Sequence, residues 1–486
     1  MNKFLFAVFL LLTAASLKAE DITGSWQGVL EIQHTRLRIV FHINQNDSTL
    51  SSTMDSPDQG AFGLPTTRSS FRDNKLEIVA TGLGLFYQGT LQGDSIVGTF
   101  NQGGIPFPLV LNRLEKPLFN RPQMPLEPLP YLSEEVSISN ADETISLSGT
   151  LTLPDRNIKK KRSRAARTIS LSGTLTLPDS TGLFPAILLI AGSGPNDRDE
   201  TLFGHKPFLV ISDYLTRHGF AVLRYDKRGV GKSTGNFDKA TLQDFADDAA
   251  LAVNYLKQRK EIDVKKIGLL GHSEGGIIAP MVASEETGIH LLMLLAAPGT
   301  TGIEVILDQN EISMQQQRME PENIEKIQQL NREMFESMLS WDGSENHRTA
   351  LRDKLQHIWE QLPILLTMKI NKDAYLRGQF NAMIKPGYRS FLATDPATYL
   401  GKVSCAVFAI NGENDQQVPA EKNITAIEKA LKEGGNHQVQ TKIYPALNHL
   451  FQESTTGHTD EYAQIEQTIS PEVLSDIITW LKKMNE

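Results

Sequence analysis

The segment "IGLLGHSEGGIIAP", Ile267 to Pro280, contains Gly271-His272-Ser273-Glu274-Gly275, a G-x-S-x-G pattern. It follows the apolar run Ile267 to Leu270 and leads into a helix-forming stretch from Gly276 onward. A strand that turns abruptly into a helix holds its apical residue in strained backbone and presents that side chain at the sheet's rim. Gly271 and Gly275 suit such a turn because they carry no Cβ to collide between strand and helix. The chemistry this permits is nucleophilic attack by the Ser273 hydroxyl. A hydroxyl is a poor nucleophile unless a base takes its proton.

Two later stretches offer partners in the order such a turn calls for, acid and then histidine. "NGENDQQVP" follows the apolar run "CAVFAI" and supplies Glu413 and Asp415; "PALNHLF" follows "VQTKIY" and supplies His449. Each lies where a strand hands over to a loop, the edge at which ligand chemistry gathers in an open α/β sheet. The residues alone leave Glu413 and Asp415 nearly even. Of the eleven histidines, His449 alone combines this position with the right order. His205 and His218 sit around the first helix and read as structural, and His272 should point away from the serine side chain. A developing oxyanion needs two donors. The backbone N–H of Glu274, directly after the nucleophile, is one. Ser193, between Gly192 and Gly194 in "AGSGPNDRDE", is the best candidate for the other.

The ordered set "LLIAGSGPNDRDE", "YDKRGVGKS", "GHSEGG", "AINGENDQQVP" and "NHLF" resembles the α/β-hydrolase superfamily. Within it, the set is similar to exported bacterial serine esterases of the EstD type and to the related serine aminopeptidase-like hydrolases. The likeness runs from about Ser133 to Glu486, less specifically over the cap. It implies Ser273 as nucleophile, Asp415 rather than Glu413 as acid and His449 as base, with a small-molecule ester as substrate and no cofactor. Many relatives carry histidine where this chain has Ala191. The donors are backbone groups, so the change should affect loop rigidity more than chemistry.

These residues need a scaffold, and hydrophobic patterning outlines one. From about Ile22 to Leu114 the chain reads as all-β: "LRIVFHI" puts Leu37, Ile39, Phe41 and Ile43 on one face by period-two alternation. "KPLFNRPQMPLEPLPYL" follows, with five prolines in seventeen residues, which favours an extended, semi-rigid linker. Beyond it, "AILLIAG", "FAVLRYD", "KKIGLLG", "HLLMLLAAPG" and "CAVFAING" alternate with amphipathic stretches. Continuous apolar runs of this kind are strands buried on both faces of a parallel, helix-covered sheet. Residues 301–400 are mostly helical and fall between two strands, as a cap would. The expected organisation is an all-β domain over 20–115, a linker over 116–132, an α/β core over 133–300 and 401–486, and a cap over 301–400.

"TISLSGTLTLPD" occurs twice, at Thr144 to Asp155 and Thr168 to Asp179, separated by "RNIKKKRSRAAR". Two copies are too few for a solenoid. Deleting twenty-four residues, one copy plus the basic stretch, restores a continuous hairpin leading into "STGLFPAILLI". The pattern therefore reads as a tandem duplication beside one scaffold strand. The first copy, with the shorter turn from "EVSISN", is expected in the sheet, and the basic stretch should be a solvated loop.

The whole chain has 486 residues and a net charge of −9, which argues against nucleic acid or an anionic membrane as partner. "MNK", the apolar run "FLFAVFLLLTAA" and a small residue at Ala19 form a secretory signal pattern, residues 1–19. Export without a membrane anchor is the expectation. Cys405 is the single cysteine and reads as a small buried hydrophobe. "GVGKST" imitates a phosphate loop, but the first glycine of that motif would fall at Asp226. No H-E-x-x-H or clustered Cys/His spacing calls for a metal. Six of the twelve methionines lie in the cap, where helix packing is the plainer reading and an acyl pocket the alternative. The sequence thus points to hydrolysis of a carboxylic ester through an acyl-enzyme. An exopeptidase would need a cap carboxylate, such as Glu304 or Glu311, to hold a substrate amine. A non-catalytic binding protein is the reading of a different class.

Overall fold

The computed structural model describes residues 21–486 except 33–34, 47–48, 60, 115–119, 142–143, 155–182, 363 and 369–370. The signal pattern, the basic stretch and the second copy of the repeat lie outside the described residues. The chain divides into two units, Met1–Asn120 and Arg121–Glu486.

The first unit is one antiparallel sheet. Its strands are β1 Gly24–Ile32, β2 Thr35–Asn46, β3 Thr49–Ser56, β4 Ala61–Pro65, β5 Arg68–Arg72, β6 Lys75–Ala80, β7 Leu85–Gln92, β8 Ser95–Gln102 and β9 Ile105–Arg113. Their order is β4-β3-β2-β1-β9-β8-β7-β6-β5. Alternation sends Ile39, Phe41 and Ile43 into a core with Trp26, Tyr87 and Phe100. Asp73 and Asn74 both take positive φ, 50° and 60°, which gives the β5–β6 hairpin a turn matching strand twist. The sheet curls until Ser52 of β3 hydrogen-bonds Ser69 of β5 at 2.7 Å.

The second unit is built on β10 Tyr131–Ser139, β11 Ser146–Pro154, β12 Phe184–Ile190, β13 Ala221–Tyr225, β14 Ile262–His272, β15 Ile289–Leu295, β16 Ala406–Gly412 and β17 Val439–Tyr444. The order is β10-β11-β13-β12-β14-β15-β16-β17. The β10–β11 and β11–β13 pairs are antiparallel, and the rest are parallel. Between the strands run α1 Pro207–Arg217, α2 Leu242–Gln258 and α3 Gly275–Glu285. The strand period of two decides which helices each residue meets. Ile187 and Leu189 join Phe208, Leu215 and Trp480 in one core, whereas Leu188 and Ile190 join Phe245, Ala249 and Ile278 in the other. α2 opens with a capping box, Thr241 and Asp244 each accepting from the other's backbone N–H. From β12 the chain goes to β13 on one side and then to β14 on the other, so a crevice opens at the C-terminal ends of these strands.

The first copy of the repeat is β11, paired with β10 from Tyr131↔Pro154 to Ser139↔Ser146. The proline-rich stretch is held to this unit from Arg121 onward. The Arg121 guanidinium donates to the carbonyls of Phe203, Gly204, Ala463 and Ile465. The Gln123 amide oxygen accepts the N–H groups of Thr468 and Ile469.

Between β15 and β16 come α4 Gly302–Gln316, α5 Pro321–Leu339, α6 Glu345–Gln361, α7 Ile364–Thr367, α8 Lys372–Met383, α9 Pro386–Ala393 and α10 Ala397–Leu400. α11 Ala420–Glu433, α12 Thr459–Tyr462 and α13 Pro471–Asn485 complete the unit. The buried face of α5 includes Ile324, Ile327, Met334 and Met338. Met334, Met338 and Met383 fill the cap's own core with Phe335 and Phe380, so packing accounts for them.

Candidate active site

Ser273 stands at the apex between β14 and α3 with φ +53°, in left-handed backbone that costs a non-glycine residue roughly 1–2 kcal/mol. Its N–H donates to Leu295 O at 2.9 Å. The flanking glycines are steric necessities. A Cβ on Gly271 would lie 2.1 Å from Gly275 O, and one on Gly275 would lie 2.0 Å from Ile190 O. The close approach of β12, β14 and α3 therefore sets the strained turn.

His449 follows β17, and Asp415 follows β16. The His449 Nδ1–H donates to Asp415 Oδ2 at 2.7 Å, with both side chains almost wholly buried. Asp415 Oδ1 accepts the N–H groups of Gln417 at 2.8 Å and Val418 at 2.9 Å. Both carboxylate oxygens are thus occupied, which leaves His449 Nε2 as the nitrogen without the acid. Glu413, the alternative left open by the residues alone, is exposed and accepts the Ala446 N–H at 3.2 Å. The turn carrying His449 is held by buried Asn448, whose Oδ1 accepts from the N–H groups of Leu450 and Gln452. Gly412 lets the two loops meet, since a Cβ there would stand 2.2 Å from Leu447 O.

The loop after β12 is fastened through its carbonyls. Asn196 Nδ2 donates to Gly192 O at 2.8 Å and Ser193 O at 2.9 Å, and Lys227 Nζ also donates to Gly192 O. The Gly192 N–H goes to Glu200 Oε1 at 2.6 Å. The N–H groups of Ser193 and Glu274 have no intramolecular acceptor among the described residues. Ser193, Ser273 and Glu274 all line one cavity of about 360 Å³. A hydroxyl and two backbone N–H groups free to donate therefore border the same space.

Several residues at this site carried no sequence signal of their role. Lys227, which is 4 % exposed, pairs with the Glu274 carboxylate at 3.0 Å and lies over the Phe245 ring at 4.7 Å. Glu200, 1 % exposed with φ +51°, pairs with His272 Nδ1 at 3.0 Å. His272 Nε2 donates to the main-chain oxygen of His449 at 3.0 Å. Charged residues in a loop ordinarily read as solvated, and only tertiary contact reveals these as buried. His205 is also buried: its Nε2–H donates to Tyr462 O and its Nδ1 meets the Thr468 hydroxyl. His218 bonds Tyr214 O within its own helix turn.

The rest of the cavity is largely apolar, with Phe237, Phe245, Val305, Ile306, Tyr388 and Phe391 among its walls. Burial raises the Tyr388 hydroxyl to about 12. Among the described residues, two carboxylates line the cavity, Asp238 and Glu274. Asp238 is paired with Lys385 at 2.8 Å and Glu274 with Lys227 at 3.0 Å. Glu304 and Glu311 border a different cavity, between α4, α5 and Lys422 of α11. There Glu304 accepts from Arg332 at 2.7 Å and from Lys422 at 3.3 Å.

The sheet order, the switch point beside β12, the serine elbow on β14 and the helical cap before β16 define an α/β-hydrolase fold. In agreement, residues 208–341, from α1 through the elbow into the cap, match the family model described as serine aminopeptidase, S33. The chain is similar to esterase EstD of Thermotoga maritima, 28% identical over 303 residues, covering 62% of this chain and 63% of that one. A shorter likeness, 34% over 89 residues, is to the bifunctional esterase/perhydrolase DCH of Acinetobacter calcoaceticus, covering 17% of this chain and 30% of that one. The chain thus spans less than two thirds of the length of these curated relatives. Among solved structures, the Pyrococcus furiosus esterase Pf2001 aligns with 76% of this chain and 97% of its own at 15% identity, with a TM-score of 0.41.

Proposed function

We propose that this protein is a serine carboxylic-ester hydrolase working through an acyl-enzyme on small to medium acyl esters. The observation that carries the reading is the buried His449–Asp415 pair, 2.7 Å apart, in a unit whose Ser273 elbow shares a cavity with two uncommitted backbone N–H groups. In this reading Ser273 Oγ attacks the ester carbonyl while His449 Nε2 takes its proton. Asp415 fixes the imidazole tautomer and stabilises the cation. The N–H groups of Glu274 and Ser193 hold the oxyanion, and protonated His449 then gives its proton to the departing alcohol. Water repeats the sequence on the acyl group, regenerating the free serine.

An ester fits the cavity better than a peptide N-terminus. A substrate ammonium would need a free carboxylate, and both carboxylates lining the cavity already hold a lysine. The test compares a p-nitrophenyl acyl ester with an aminoacyl p-nitroanilide, alongside fluorophosphonate labelling. Ester turnover and labelling that vanish in Ser273→Ala are the expected result. Preferred cleavage of the anilide would make the protein an exopeptidase. Absence of labelling in the wild type would leave only a binding role. We also propose export, on the strength of the N-terminal signal pattern, with fractionation of expressing cells as the check.

A further inference from the structure

Resting on the reading of Ser273 and His449 above, we propose that Glu200 and His272 are positioning residues. They keep the oxyanion loop and the His449 loop in register with the nucleophile, through a His272 ring protonated on both nitrogens.

Both nitrogens of His272 face acceptors. Nδ1 lies 3.0 Å from Glu200 Oε1, and Nε2 lies 3.0 Å from the main-chain oxygen of His449. A neutral imidazole has one donor and one acceptor nitrogen, so it would turn a lone pair toward one of these oxygens. The imidazolium satisfies both. Burial of the ring opposes its charge, but the Glu200 carboxylate, its hydrogen bond, the His449 carbonyl and Asp415 together raise its pKa above the usual value. Those are the groups that face it, together with the His449 ring, whose centroid is 4.9 Å away.

Glu200 Oε1 also accepts the Gly192 N–H at 2.6 Å, so one oxygen joins the loop after β12 to the residue before the nucleophile. Oε2 is buried without a hydrogen-bond partner among the described residues. An unsatisfied buried oxygen on a left-handed residue is a standing cost, which suits a carboxylate kept for its charge. Gly192 and His449 lie in the loops after β12 and β17, and His272 ends β14, so three different strands are joined. Ser193 is the next residue after Gly192, and misplacing a group at a reacting centre by about 1 Å can cost roughly 100-fold in rate. Neither Glu200 nor His272 lines the Ser273 cavity. Their loss should therefore slow the chemical step and leave ground-state binding alone.

The experiment pairs kinetics with spectroscopy on the full chain. Glu200→Gln keeps the shape and an acceptor for the Gly192 N–H, but removes the charge that retains the second ring proton. We expect kcat for a p-nitrophenyl ester to fall about 10- to 100-fold with KM within two-fold. Glu200→Ala, which frees the loop too, should fall further. In ¹⁵N-histidine spectra of Ser273→Ala, the signal lost in His272→Gln should show two ring N–H groups at pH 7, and one once Glu200→Gln is added. A neutral His272 ring in the Glu200 background overturns the proposal, as does an unchanged kcat in Glu200→Gln or an effect confined to KM. If the wild type neither hydrolyses esters nor takes the fluorophosphonate, the functional reading fails. The ring spectrum then still decides whether the charged pair exists.

Discussion

At the scale of single residues, the two carboxylates near His449 separate cleanly. Asp415 spends both oxygens on the imidazole and on two backbone N–H groups, whereas Glu413 faces solvent. Asp415→Asn should keep the fold and lower kcat by about 10⁴, because the amide favours the wrong tautomer of its histidine. Glu413→Gln should stay within about two-fold. Parallel kcat measurements with circular dichroism as a folding control distinguish the pair, and equal losses would remove Asp415 from its role. Loop position and chain order made both residues candidates; the deciding hydrogen bonds run between segments thirty-four residues apart.

At the scale of elements, the glycines of the elbow were legible because their need is local. A strand cannot turn directly into a packed helix with Cβ atoms in the way. Gly275→Ala would place a Cβ 2.0 Å from Ile190 O and force β12 or α3 to shift. Such overpacking costs about 1–3 kcal/mol and should also slow fluorophosphonate labelling, because Ser273 moves with the turn. Gly378, inside α8, has nothing within 4 Å of its Cβ position. Gly378→Ala should be neutral or stabilise by up to about 1 kcal/mol. Thermal melts of the two variants, which differ in sign, check the argument. The cap was legible as helices from its 3.6-residue period. Which of its side chains line the cavity was not, because the same apolar face serves packing and binding equally.

At the scale of the whole molecule, the duplicated strand makes a strong prediction. β11 supplies the sheet position from the first copy, and Thr152 of β11 and Ile187 of β12 flank Val222 of β13. That places the end of β11 beside the start of β12, about 10 Å away across one intervening strand. Removing residues 156–179 joins Asp155 to Ser180 and leaves a short connection that spans this gap easily. The shortened protein should fold with its melting temperature within a few degrees, and any turnover of a p-nitrophenyl ester by the full chain should be kept within about two-fold. Loss of folding would mean that the deleted residues contribute to the core.

His205 governs a second property at this scale, since it ties the start of α1 to the distant segment that carries Tyr462 and Thr468. Burial, with the nearby Arg121 guanidinium, lowers its pKa from the ordinary 6.5 to about 4. The folded value lies below the unfolded one, so the neutral ring's stabilisation is complete above about pH 6.5 and is lost as pH falls toward 4. The full effect is about 3 kcal/mol. Urea melts from pH 7 to 4.5 should show a steeper decline for the wild type than for His205→Gln. Identical slopes would contradict the assignment.

By itself the sequence determined what depends on neighbours along the chain. The strands followed from their continuous apolar runs, the elbow from its glycines, and the placing of Ser273, Asp415 and His449 in turn from where strands end. Tertiary structure alone decided which carboxylate reaches the imidazole, that Glu200, Lys227 and His272 are buried beside the Ser273 elbow, and that Glu304 and Glu311 of the cap border another cavity. Periodicity and turn chemistry are short-range and leave a mark in any window of residues. The burial and pairing of a charge depend on segments tens to hundreds of residues apart, and no local pattern records which of them will meet.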